Sequence, residues 1–158
     1  MRVLNAEQMR EADRVTIHEM VHLVALWLPK AGAEPRGMFL VEGLANALLE
    51  HVHGVHVHAV ARFYRGKKDL PPLATLLGAD FYAYLQAHPG FNGYDVAGSF
   101  VRHLIDTYGI EAVKRYYTGM PAQEALGVDE RAAEAARSEE HTSELQSLGY
   151  IVCRLLLG

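Results

Sequence analysis

His18-Glu19-Met20-Val21-His22, with Phe39-Leu40-Val41-Glu42-Gly43-Leu44-Ala45 further on, is the stretch on which the reading of this chain turns. Two imidazoles stand four residues apart with a carboxylate between them. On a helix, positions i and i+4 lie on one face, so His18 and His22 can point at a single metal ion. Glu19 is rotated off that axis yet still borders the site, where a general base belongs. Glu42 falls 20 positions after His22, inside an apolar run that reads as a second helix able to pack beside the first. The competing reading is two buried histidines on an amphipathic helix and an ordinary surface glutamate.

At these residues the chain resembles the gluzincin metallopeptidases, and most closely the peptidase MA-like domains. Tyr94-Asp95-Val96-Ala97-Gly98-Ser99-Phe100-Val101-Arg102-His103-Leu104-Ile105-Asp106-Thr107-Tyr108-Gly109 is similar to the helix that follows the zinc helices in that family. Tyr117 to Val128, with Gln123-Glu124-Ala125-Leu126-Gly127, resembles its closing helices. The resemblance covers roughly residues 15–136 in the family's order.

Carried over, it makes His18, His22 and Glu42 ligands of Zn2+, with the fourth position left for water, as in catalytic zinc sites. Zinc lowers the pKa of such a water to about 7, and Glu19 takes its proton and later passes it to the leaving amine. Asn46, four residues after Glu42, falls on the same helical face, where an accepting side chain orients a ligand histidine. An ordinary solvated helix residue is the other reading of Asn46. Related enzymes stabilise the oxyanion with a Tyr or His from a later segment. Tyr94 is the first candidate here, with Tyr82, Tyr84 and His103 as alternatives. The resemblance therefore implies a mainly α fold, the helical zinc-binding part of a gluzincin catalytic domain. It implies a hydrolase that cleaves the bonds of a peptide or protein substrate.

Gluzincins also place a β-sheet before the zinc helix, and its edge strand aligns the substrate backbone by strand addition. Here the residues before His18 read as helix, so the chain is expected to be a truncated domain. A non-catalytic zinc-binding helical domain is thus a second reading. A chimeric reading frame without selected function is a third, because both ends look foreign to the middle. Residues 137–147 resemble translated sequencing-adapter sequence, and 152–157 look like its continuation, so 137–158 are set aside as an artefactual tail. Residues 1–14 resemble the opening of NAD(P)H-hydrate epimerases, although no nucleotide-binding segment follows.

Composition narrows the classes. Half of the residues are apolar, which suits a globular core rather than disorder. The net charge of −4 gives no case for nucleic acid. The single cysteine, Cys153, lies in the suspect tail and leaves no disulfide framework, thiolate metal site or cysteine nucleophile. No apolar run is long enough to cross a membrane, and no signal peptide opens the chain. The sequence assigns no compartment.

Along the chain, Asn5 is a candidate cap for a helix running through Trp27, and 38–51 reads as the second helix. Residues 55–64 read as helix or extended chain, and 73–77, 79–87, 94–108, 110–118 and 128–136 as further helices. The cluster His51-Val52-His53-Gly54-Val55-His56-Val57-His58 reads as a variable loop after the zinc helix. A strand face binding a second metal is the alternative.

Overall fold

The computed structural model describes residues 6–28, 37–49, 51–52, 55–67, 69–78 and 80–136. The readings made at Asn5 and over 137–158 lie outside them. The described residues are mainly helical, as the sequence implies. In chain order they form α1 (Ala6–Ala25), α2 (Met38–Leu49), β1 (His51–Val52), β2 (Val55–His56), α3 (Val57–Gly66), α4 (Leu73–Gly78), α5 (Phe81–Ala87), α6 (Gly93–Tyr108), α7 (Ile110–Tyr117) and α8 (Ala122–Ala125). Residues 130–136 are helical as well. The two strands form an antiparallel pair with His51 opposite His56. The second helix ends at Leu49 rather than His51, and within the histidine cluster His51–Val52 pairs with Val55–His56 ahead of α3.

Helix α2 sits at the centre because almost nothing in it favours water. Phe39, Leu40, Leu44, Ala45 and Ala47 are buried, and its polar residues Glu42 and Asn46 are buried with them. A helix that is apolar nearly all round must be covered on several sides. Helix α6 provides the largest cover, burying Val96, Ala97, Phe100, Val101 and Leu104. Phe39 meets Phe81 edge-on with centroids 5.6 Å apart and Phe100 at 6.0 Å. Helices α3 and α7 pack on α6, and α1 lies on α2.

Two glycines set how closely α2 and α6 approach. A Cβ on Gly43 would stand 2.8 Å from the Ala97 carbonyl oxygen and from Val101 Cγ2. A Cβ on Gly98 would stand 2.7 Å from Asn46 Cβ. Neither gap admits a methyl group without backbone movement. Gly43→Ala is therefore expected to cost about 1–3 kcal/mol by overpacking, read as an earlier urea midpoint with unchanged slope. The close crossing matters for the site, because Glu42 and Asn46 are carried on the helix it fixes.

Helix α1 is less embedded. Val21 and Ala25 pack against the core. Met20 and Val24 on its outer side, Leu23, and Trp27 in the turn after it are exposed.

Candidate metal centre

The site forms where α1 lies over α2. His18 and His22 project from one face of α1, four residues apart, as their spacing requires. Glu42 and Asn46 repeat that spacing on α2 and face them. The two Nε2 atoms of His18 and His22 are 3.1 Å apart. Glu42 Oε2 is 3.2 Å from His18 Nε2 and 3.4 Å from His22 Nε2. The three donor atoms thus form a nearly equilateral triangle.

That triangle fits a small tetrahedral cation. Zinc takes nitrogen and oxygen donors at about 2.0–2.1 Å, so two corners of its tetrahedron stand about 3.3 Å apart. The donor types, two imidazoles and a carboxylate, are those of divalent transition-metal sites, zinc among them, and leave a fourth position open. Among the described residues, His18, His22 and Glu42 are the group able to hold a metal ion.

Both inner partners of the triangle are held from behind. His18 Nδ1 donates to Asn46 Oδ1 at 3.0 Å, and Asn46 Nδ2 donates to Asp95 Oδ1 at 3.1 Å. Asp95 is itself buried at the start of α6 and accepts from Asn92 Nδ2 at 2.6 Å. Asn92 caps α6, its Oδ1 accepting from the Asp95 backbone N–H at 3.3 Å. On the other side Tyr82 Oη donates to Glu42 Oε1 at 2.6 Å, leaving Oε2 to face the histidines. Burial first, then the hydrogen bond to Glu42, holds the Tyr82 hydroxyl well above its ordinary pKa. His22 differs: its Nδ1 is buried with no hydrogen-bond partner among the described residues.

A cavity of about 410 Å³ opens over the triangle, lined by His18, Glu19, His22, Met38, Val41, Glu42, Tyr82 and Tyr94. Glu19 is exposed on its wall. Tyr94 reaches the same cavity while its ring packs edge-on against Phe81 at 5.8 Å, and burial raises its pKa with the Glu42 charge adding to the effect. A second, apolar cavity of about 510 Å³ shares Glu19, His22, Met38 and Val41 with the first and extends to Leu23, Leu26 and Tyr117.

The structure thus brings together six residues singled out from sequence: His18, Glu19, His22, Glu42, Asn46 and Tyr94. Of the alternative hydroxyl and imidazole donors, Tyr82 is in the site but bound to Glu42. Tyr84 stacks on His88 at 4.2 Å, and His103 is buried in α6 within 3.5 Å of Thr107 Oγ1. In the histidine cluster, His56 accepts from the His58 backbone N–H at 3.3 Å and His58 Nδ1 pairs with Ser99 Oγ at 2.8 Å. The side chains of His51 and His53 lie outside the described residues. Asp95 and Asn92 escaped the sequence reading as site residues. Their Asn-x-x-Asp spacing at a helix start signals only a cap.

Comparison with protein-family models, with curated proteins and with solved structures found no match.

Proposed function

We propose that the chain is a zinc-dependent peptide hydrolase of the gluzincin, peptidase MA-like type, acting at His18, His22 and Glu42. The observation that carries this reading is the triangle of donor atoms beneath a cavity that also holds Glu19. When bound, zinc supplies Lewis-acid polarisation and activation of water. His18, His22 and Glu42 would hold it, and Tyr82 keeps the Glu42 carboxylate turned toward the histidines. Glu19, on the rim, is the group that takes the proton of the attacking water and returns it to the leaving amine. Tyr94, across the cavity, would donate to the substrate carbonyl oxygen. The adjoining apolar cavity suits a bulky apolar side chain next to the bond that is cut.

Zinc content of the full chain, measured by elemental analysis beside His18→Ala and Glu42→Ala, tests the ligand set. About one zinc per chain, lost in both variants, is expected. Zinc retained by both would sink the assignment. Zinc bound with no cleavage of any peptide in a mixed library would favour the non-catalytic metal-binding reading instead.

The two tyrosines separate by readout. Tyr94→Phe is expected to lower kcat by about 10²–10³-fold with zinc affinity unchanged, the usual cost of one oxyanion donor. Tyr82→Phe is expected to weaken zinc binding by about tenfold, because it frees the ligand carboxylate to rotate. Steady-state kinetics and chelator competition on both variants check this. The reverse pattern would exchange the two roles.

A further inference from the structure

We infer that Asp95 is a positioning residue for the metal centre: acting through Asn46, it sets the tautomer of His18. This rests on the proposed reading of His18 as a metal ligand.

An ionised Asp accepts only, whereas an Asn side chain has one accepting and one donating end. Asp95 Oδ1 lies 3.1 Å from Asn46, so Asn46 must turn its NH2 toward Asp95. Its Oδ1 then faces His18 Nδ1 at 3.0 Å, and an oxygen there requires the ring proton on Nδ1. The lone pair is left on Nε2, which points at Glu42 and His22. A neutral amide alone could present either end to His18; the buried carboxylate behind it removes the choice. Asp95 is held in turn by Asn92 Nδ2 at 2.6 Å. Arg14 is paired with Glu11 at 2.6 Å and its charge also interacts with that of Asp95. Among the described residues His22 Nδ1 has no such support, so of the two histidines only His18 is oriented from behind.

Asp95→Asn and the exchanged pair Asn46→Asp with Asp95→Asn test the inference in the full chain. In Asp95→Asn the new amide can donate to Asn46 Oδ1, letting Asn46 flip and present NH2 to His18. Zinc affinity, by chelator competition, is expected to fall about 10–100-fold. Nitrogen-15 NMR of the zinc-free chain is expected to show His18 losing its Nδ1–H preference. The exchanged pair restores an acceptor-only oxygen facing His18 and an amide behind it. It is expected to recover the tautomer, and affinity to within a few-fold of the parent. A pure helix-capping role for Asp95 predicts no such rescue. An unchanged His18 tautomer in Asp95→Asn, or no recovery in a folded exchanged pair, would overturn the inference. If the parent binds no zinc while the tautomer still follows Asp95, the relay stands and the hydrolase reading fails.

Discussion

Glu19→Gln is expected to lower kcat for peptide hydrolysis by about 10²–10⁴-fold, the usual contribution of a positioned general base, with zinc content unchanged. The substitution keeps shape and removes only the ability to take a proton. Glu19 is exposed on the wall of the cavity and is absent from the donor triangle, so neither fold nor metal site depends on it. Single-turnover cleavage of a peptide, measured beside elemental analysis of the same sample, separates chemistry from metal loss. Parent-like turnover in Glu19→Gln would remove Glu19 from the mechanism. Lost turnover with lost zinc would mean that Glu19 supports the site rather than the reaction.

Phe100→Ala is expected to destabilise the chain by about 3–5 kcal/mol, which is a large share of the stability of an ordinary domain. Phe100 is completely buried and its ring faces Phe39 across the α2–α6 contact. The cavity left behind lies beneath the helix that carries Glu42 and Asn46. Urea unfolding followed by far-UV circular dichroism gives the loss with and without zinc. Because a ligand that binds only the folded state adds stability by mass action, zinc should raise the midpoint of the parent and of Phe100→Ala but not of Glu42→Ala. A loss under about 1 kcal/mol would show that the α2–α6 contact is not the mechanical centre of the fold.

Much of this arrangement could be read from the residues themselves. The four-residue spacing of His18 and His22, and of Glu42 and Asn46, defines a face on each of two helices. An apolar run as dense as 38–49 has to be central, so the second helix was bound to lie where the first could meet it. Tertiary pairing was the illegible part. Asp95 reads from sequence as a favourable charge in a first helical turn, a sufficient local explanation that conceals its bond to Asn46, 49 positions away. Tyr82 reads from sequence as one of the alternative oxyanion donors; its bond to Glu42 depends on how α5 sits against α2. The pairing of 51–52 with 55–56 was similarly opaque. Alternating His and Val suits a strand, but a pair only two residues long is fixed by its neighbours rather than by its own pattern.

The exposed outer side of α1 has a spectroscopic consequence. Trp27 is the only tryptophan in the chain, and it is 87 % exposed just beyond the end of that helix. Its indole already emits from water in the folded state. Intrinsic tryptophan fluorescence should therefore change little when the core melts, which makes it a poor gauge of denaturation here. The same residue becomes a sensitive reporter of anything that covers this side of the molecule, since burial of the indole would shift its emission to the blue.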